Sequence, residues 1–520
     1  MKVLLVRPPK YNWPFINEQD NYLMPQALVC LAATARVSGH EVKAVDCMPE
    51  RIGWRSLEAL IRKFKPNVVA AGDSETMYAH ESGRVFVLAK EIDLNIFTVA
   101  GGVHFSHALE YSFENYPIDA IVRGEGEVTF CELLKAIETG TGLSAVPGLA
   151  LPFNGDKKFR LTPNRPLIGD LDELPMPALD LVPVKKYGRA KYLFSPGGVT
   201  IHHSRGCVDS CAFCACWIQM ARRQEVEDTN DGFERLLPRW RTKSVDRTLE
   251  EAAELHIGYG KNCLVFVDDT WNVDPKWSDE FAEKLIAKKW NLVWFAFMRA
   301  NFLLRDEKLG IFEKLVRSGL IHLCIGVERA KQDELLKLAK TSQDITEVQQ
   351  VFHILHAKYP QIFRQSTFLV GVPEESKETL DQQLAYAKTL HPHYPAFHPL
   401  TPVPGTSIYK EAKEKGWLEV TNFARFDWMT PVMRTKYLSR EELEWELWRL
   451  NRAFMTIPNL IKGLFSKQWY IRRMHIWWFI VALKVSWSYF LDKLHIPTAT
   501  QRTEGSTLYH GLVKPKWYDK

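Results

Sequence analysis

This 520-residue chain lacks long hydrophobic runs, a cysteine framework and any large surplus of charge. Its 67 basic residues exceed its 62 acidic ones by only five, too few over this length to argue for a nucleic-acid partner. Between Pro458 and Pro497 the longest apolar run, Ile476 to Leu483, has eight residues. A bilayer span needs about 20, so no transmembrane helix is expected there. The nine cysteines are odd in number and unevenly placed, which argues against a disulfide framework and for a reducing, cytoplasmic compartment. Met1 to Pro8 agrees, having no charged n-region, apolar h-region or small-residue cleavage site of a secretory signal. No repeat or low-complexity tract stands out. What is present is an ordinary globular composition, 46% hydrophobic and 25% charged. At about 150 residues per domain it suggests three or four domains and excludes a peptide hormone or a small disulfide scaffold.

Apolar strand-like runs alternate with helical patterns from the start: Val3 to Val6, a helix near Pro25 to Ser38, Glu41 to Asp46, then Asn67 to Ala71, Phe97 to Ala100 and Ala120 to Val122. This alternation predicts an α/β domain over 1–144 with a five-stranded, doubly wound, flavodoxin- or Rossmann-like parallel sheet. Ligands of such sheets bind at the carboxyl ends of the strands, where Gly101, Gly102 and the turn Gly124-Glu125-Gly126-Glu127 fall. Residues 145–197 hold eight of the 28 prolines and read as a connector. A second series, from Val199 to His202 through Ala396 to Leu400, supplies six strands and fits a partial (β/α)6 barrel over 198–409. Residues 410–520 read as a helical C-terminal region.

The strongest chemical signal is Cys207-Val-Asp-Ser-Cys211-Ala-Phe-Cys214, directly after the first strand of the second series. Three thiolates in one tight loop suit a 4Fe-4S cluster with one iron left open. Structural zinc closes with four protein ligands, and no second cysteine arm exists here. Cys216 reads as a small buried residue rather than a fourth ligand, and Cys30, Cys47, Cys131, Cys263 and Cys324 as core. The loop resembles that of the radical S-adenosylmethionine (SAM) superfamily, matched by Cys207, Cys211, Phe213 and Cys214. The resemblance implies that the open iron holds SAM, with Phe213, Asp268, Asp269, Arg299 and Glu328 on the SAM side. Gly326, Gly371 and Pro404-Gly405 stand at further positions expected around that pocket.

An α/β domain before such a barrel resembles the cobalamin-binding subclass. The matching pieces are Pro25 and Leu28, Gly39-His40-Glu41-Val42 with Asp46, Gly101-Gly102-Val103-His104, and Arg123-Gly124-Glu125-Gly126-Glu127. The resemblance implies cobalamin held at Gly101, Gly102, Gly124, Glu125 and Gly126. The DxHxxG motif that gives cobalt a lower-face histidine is absent, which leaves Asp73 to Thr76 merely near that face and makes His80 and His104 polar loop residues. A flavodoxin-like domain without a corrin is the bland alternative.

Near the C-terminus Trp469, Tyr470, Trp477, Trp478, Trp487 and Tyr489 mix with Lys462, Lys467, Arg472, Arg473, Lys484 and Lys493, against Asp492 alone. Two readings stand: a helix lying in the lipid headgroup region, or a helical subdomain packing its tryptophans against the barrel mouth. The first implies peripheral membrane contact through residues 458–497, on the inner face of the membrane.

Together these features resemble cobalamin-dependent radical SAM methyltransferases. The resemblance implies methylation of an unactivated carbon through a 5′-deoxyadenosyl radical and methylcobalamin, and a reducing partner such as flavodoxin or ferredoxin. The Val6-Arg7-Pro8-Pro9 opening, the cysteine loop and the aromatic, basic tail resemble hopanoid or other isoprenoid-lipid methylases most, so a hydrophobic small-molecule or lipid substrate is expected. The alternatives are an enzyme like the anaerobic magnesium-protoporphyrin ester cyclase, and a non-catalytic corrinoid and iron–sulfur protein. The open iron speaks against the last.

Overall fold

The computed structural model describes residues 1–9, 23–50, 52–72, 75–155, 158–188, 197–224 and 235–494. The first sheet holds β1 (Lys2–Arg7), β2 (Glu41–Asp46), β3 (Val68–Gly72), β4 (Phe97–Gly101), β5 (Ala120–Val122), β6 (Leu149–Pro152) and β7 (Phe159–Leu161), ordered β2-β1-β3-β4-β5-β6-β7. β1 to β5 are parallel, and β6 and β7 join antiparallel. Successive side chains of a strand face opposite ways, and β1 shows the result: Val3 and Leu5 enter one core, Leu4 and Val6 another on the opposite face. Both faces are covered by helices, as the doubly wound reading requires. The expected five strands become seven, because the first third of the expected connector carries the β6–β7 hairpin. Its short runs among prolines gave no long apolar signal.

The second sheet is a parallel, partial barrel. It comprises β8 (Gly198–Ile201), β13 (Cys263–Phe266), β14 (Val293–Met298), β15 (Leu320–Glu328), β16 (Phe363–Val370) and β17 (Tyr394–Pro399), ordered β17-β16-β15-β14-β13-β8. Between β8 and β13, β9 (Ser204–Arg205) pairs with β12 (Arg241–Thr242), and β10 (Arg222–Gln224) with β11 (Arg235–Leu237). The outer face of the barrel sheet packs Phe266 and Trp294 against Trp271, Trp277 and Phe281, a ring layer that is almost wholly buried. Trp271, Trp277 and Trp294, three of the chain's 17 tryptophans, therefore belong to the core.

Beyond the barrel lie helices Arg440–Arg452, Ile457–Leu464 and Trp469–Lys493. Among the described residues no helix is long and apolar enough to cross a membrane. Tyr470, Ile471 and Met474 pack on Cys263, Phe295, Ile321 and Phe363, near the amino ends of the barrel strands. The expected alternative of packing at the barrel mouth is corrected by this placement: the helix closes the end away from the cysteine loop.

Candidate functional site

The cysteine loop leaves the carboxyl end of the barrel sheet just after β9. Its backbone is fastened from both sides: the Ala212 N–H donates to the Leu338 carbonyl (2.9 Å), and the Trp217 indole N–H to the Cys211 carbonyl (3.1 Å). Cys207 Sγ lies 3.3 Å from Thr270 Oγ1. Burial pushes the Cys211 thiol up to about 12. Cys214 is held below the ordinary thiol range, first by a hydrogen bond with the Cys216 thiol. Cys216, the first residue of a short helix, is exposed rather than buried as expected, and its thiol hydrogen-bonds with Cys214 and Asp269. Cys30, Cys47, Cys263 and Cys324 are buried and Cys131 is partly so.

Among the described residues no three Cys, His, Asp or Glu side chains are drawn together as around a single metal ion. A cubane cluster makes a different demand, since each thiolate takes its own iron and the sulfurs stand apart. Three thiols at this spacing are a donor set that fits such a cluster.

The residues expected on the SAM side surround the loop, but several are committed to holding it. Asp268 Oδ1 accepts from the N–H groups of His203 (3.0 Å) and Ser204 (2.6 Å) and from the Ser204 hydroxyl (2.6 Å). Its Oδ2 is buried without a partner. Burial raises Asp268 to about 7 despite those donors, and burial followed by the charge of Asp268 raises Asp269 to about 7. Burial thus disfavours the charged form of both neighbouring carboxyls. Arg299 pairs with Asp209 of the loop at 2.6 Å and donates to Ser342, whose hydroxyl also donates to Asp209. Glu328 ends β15 at φ 65°, in the left-handed region, beside an irregularity in the β15–β16 register. Its Oε1 accepts from buried Lys340 at 2.9 Å, and the Lys340 ammonium also caps the Gly326 carbonyl. A strained glutamate at a strand end is a mark of a functional site. Phe213 packs against Leu338, Leu369 and Leu400. Asp209, Ser342 and Lys340 were not singled out in the sequence; the charge inside the loop was the one available signal for Asp209.

Facing the loop is the carboxyl edge of the first sheet. Gly102 and Gly124 have positive φ, 89° and 74°, and Gly126 caps helix Glu127–Thr139. A Cβ on Gly72 would lie 2.2 Å from the Gly101 carbonyl oxygen, so β3 and β4 approach closely where a ligand would rest. Thr76 Oγ1, Ser82 Oγ, Ser106 Oγ and both ring nitrogens of His104 are buried there without hydrogen-bond partners. Such unspent hydrogen-bonding capacity fits a ligand as rich in amides and phosphate as cobalamin. His104 and His80 are buried helix residues, not the loop residues expected: His104 lies against Phe105, Tyr111 and Phe423, and burial lowers it to about 3, while His80 bonds to Tyr116 and Asn422. Asp73 and Ser74 lie outside the described residues.

Glu125 departs from its expected role beside cobalamin. Its carboxylate accepts from Arg205 (2.9 Å), from Arg241 (2.8 Å) and from the Ile168 N–H (2.8 Å), and Glu127 accepts from Arg205 at 2.6 Å. All four charged side chains are at most 8% exposed. With both oxygens taken, Glu125 is a clamp between the domains, and Arg205 of that clamp stands two residues before Cys207.

Comparison with known proteins fits this geometry. Residues 14–134 match the family described as B12 binding domain, and residues 201–387 match the Radical SAM superfamily. An uncharacterized methyltransferase of Pyrococcus horikoshii is 32% identical over 474 residues, covering 91% of this chain and 96% of that one. The anaerobic magnesium-protoporphyrin IX monomethyl ester cyclase of Rubrivivax gelatinosus is 28% identical over 480 residues, covering 88% and 79%. The hopanoid C-3 methylase of Methylococcus capsulatus is 25% identical over 352 residues, covering 65% and 59%. In fold, the chain is similar to the radical SAM methyltransferase TsrM of Kitasatospora setae, solved with cobalamin and a 4Fe-4S cluster, at TM-score 0.66 and 16% identity over 93% of this chain and 99% of that one.

Proposed function

The chain belongs to the cobalamin-binding radical SAM family of methyltransferases, and from that premise we propose that it methylates an unactivated carbon of a hydrophobic substrate, an isoprenoid or hopanoid lipid, between its two domains. The family's cofactors are a 4Fe-4S cluster, SAM and cobalamin; together they supply a carbon-centred radical and a transferable methyl group.

The observation that carries the reading is the juxtaposition of the two edges. The Gln219 amide beside the three-thiol loop donates to the Gly124 carbonyl at 2.8 Å, and the Glu125–Arg205 pair ties loop and glycine turn together at 2.9 Å immediately before Cys207. In this reading Cys207, Cys211 and Cys214 hold the cluster, and Arg299 positions it by fixing Asp209. Glu328, oriented by Lys340, and Asp269 with Phe213 line the SAM side. Asp268 orders the β8 end from which the loop departs. Gly101, Gly102, Gly124 and Gly126 leave room for cobalamin, while Glu125 is removed from that set. Val267 and Phe297, 39% and 41% exposed, lie at the carboxyl ends of β13 and β14. Phe297 packs on Phe295, a residue of the inner barrel core. This apolar wall supports a hydrophobic substrate and keeps water from the reacting carbon.

A reducing partner such as flavodoxin or ferredoxin, and peripheral contact with the inner face of a membrane through residues 458–497, complete the proposal; residues 495–497 lie outside the described part. A second reading, a tetrapyrrole-ester substrate, is favoured by the longer match to the cyclase, 79% of its length against 59% for the hopanoid methylase. Anaerobic incubation with methyl-deuterated SAM, cobalamin, a reductant and either a lipid extract or a porphyrin ester separates them. Labelled methyl on a polycyclic or isoprenoid lipid is the expected result; ring closure of the porphyrin ester without label transfer would replace this proposal with the second reading.

A further inference from the structure

The C-terminal hairpin is apolar on two opposite sides. Helix Trp469–Lys493 turns Tyr470, Ile471 and Met474, at most 6% exposed, onto the base of the barrel. On its other side it displays Trp469, Ile476, Ile480, Leu483, Trp487 and Phe490, which are 37% to 62% exposed. At about 100° per residue these six fall within an arc of roughly 80°, and the buried three point the opposite way. The shorter helix Ile457–Leu464 continues the surface with Ile457, Ile461 and the following Phe465, 63%, 48% and 84% exposed. A row of large apolar side chains this long is more than a solvated helix face carries. In sequence the segment that carries this row is basic: between Pro458 and Pro497, Lys462, Lys467, Arg472, Arg473, Lys484 and Lys493 stand against Asp492 alone.

We propose that this face seats the enzyme on an anionic lipid surface with the base of the barrel down and the cysteine loop turned away from the bilayer. A helix that lies in the interface needs an apolar stripe to enter the headgroup region and cations to meet anionic lipid, and both are present. The same charge disfavours a second copy as the occupant, because two such hairpins face to face bring like charges together. The orientation follows from the packing. Tyr470, Ile471 and Met474 contact Cys263 and Phe363, the first residues of β13 and β16, whereas the cysteine loop leaves the opposite end of the sheet. The membrane therefore positions the enzyme and does not feed its mouth directly, so a lipid substrate has to leave the bilayer to reach the cleft. The inference stands apart from the methyltransferase reading, since it draws on no residue of the catalytic site.

The test is co-sedimentation of the full reconstituted chain with phosphatidylglycerol vesicles and with phosphatidylcholine vesicles, coupled to hydrogen exchange on the bound protein. Binding to phosphatidylglycerol is expected to fall at least about tenfold in Leu483→Glu/Trp487→Glu. It is also expected to fall in Lys462→Gln/Lys467→Gln, which leaves the apolar row intact. Unchanged thermal unfolding and iron content show that both variants fold. Vesicle-induced protection is expected over 457–494 and not over 207–216. Failure of the full chain to bind, binding by Leu483→Glu/Trp487→Glu at the wild-type level, or protection at 207–216 would overturn the proposal. So would a dimer in sedimentation velocity that this variant abolishes while vesicles bind nothing.

Discussion

Replacing Arg205 by methionine should strip Glu127 of its hydrogen-bonded cation and leave Glu125 with Arg241 and the Ile168 N–H. In the native protein Arg205 reaches Glu125 at 2.9 Å and Glu127 at 2.6 Å, with every side chain of the group at most 8% exposed. Breaking a buried pair from one side costs about 3–5 kcal/mol, because the remaining charge keeps its desolvation penalty and loses its partner. The loss is therefore expected in that range. Glu127→Gln in the same background should restore at least about 1 kcal/mol, the signature of direct coupling. The pH dependence gives an independent check. Burial alone would raise the Glu127 carboxyl, yet the charge and hydrogen bond of Arg205 outweigh it and hold the group below its ordinary value of 4.5. A carboxyl depressed by folding adds stability above its unfolded value and loses it as pH falls through the folded one. Without Arg205 burial wins, the folded value rises above the unfolded one, and protonation then stabilises the variant. The stability gap between wild type and Arg205→Met must therefore narrow as pH falls toward and below 4.5. Urea unfolding of the apo-protein at a series of pH values measures it. A loss below about 1 kcal/mol, or a gap that stays constant into acid, would refute the clamp.

Two further predictions concern the walls of the cleft. A Cβ on Gly326 would lie 2.4 Å from Glu328 Oε1 and 3.0 Å from the Lys340 ammonium, so Gly326→Ala should weaken SAM binding about tenfold in equilibrium dialysis and leave iron content unchanged, a displaced pair being worth about 1–3 kcal/mol. Asp209→Asn keeps the shape of the loop but removes the charge that Arg299 meets at 2.6 Å; the cluster should then lose iron to a chelator several-fold faster, and an unchanged rate would reduce Asp209 to a spectator.

What could be read directly from the sequence was what is local in it. The parallel strands β1 to β5, β8 and β13 to β17 announce themselves as short apolar runs between helical periods, and the cysteine loop keeps all three thiols within eight residues. Contacts across the chain were not legible. The turn Gly124-Glu125-Gly126-Glu127 looks like a ligand cradle, but the arginines that occupy Glu125 come from 80 and 116 positions away. Lys340 is invisible for the same reason, since it meets Glu328 only because a turn returns it to the end of β15. The tryptophans divide by burial rather than by sequence: Trp271, Trp277 and Trp294 fill the barrel layer, while Trp469 and Trp487 stay exposed. Strands β6 and β7 escaped because they are only four and three residues long, and prolines flank them.

The most direct test of the account is the cluster itself. After anaerobic reconstitution the chain is predicted to hold about four irons and four sulfides. The reduced cluster should give an electron paramagnetic resonance signal that shifts when SAM is added, as an open iron requires. The variant Cys207→Ala/Cys211→Ala/Cys214→Ala should lose both the iron and the signal. Full iron content in that variant, or a wild-type signal indifferent to SAM, would contradict the assignment of the loop and the chemistry built on it.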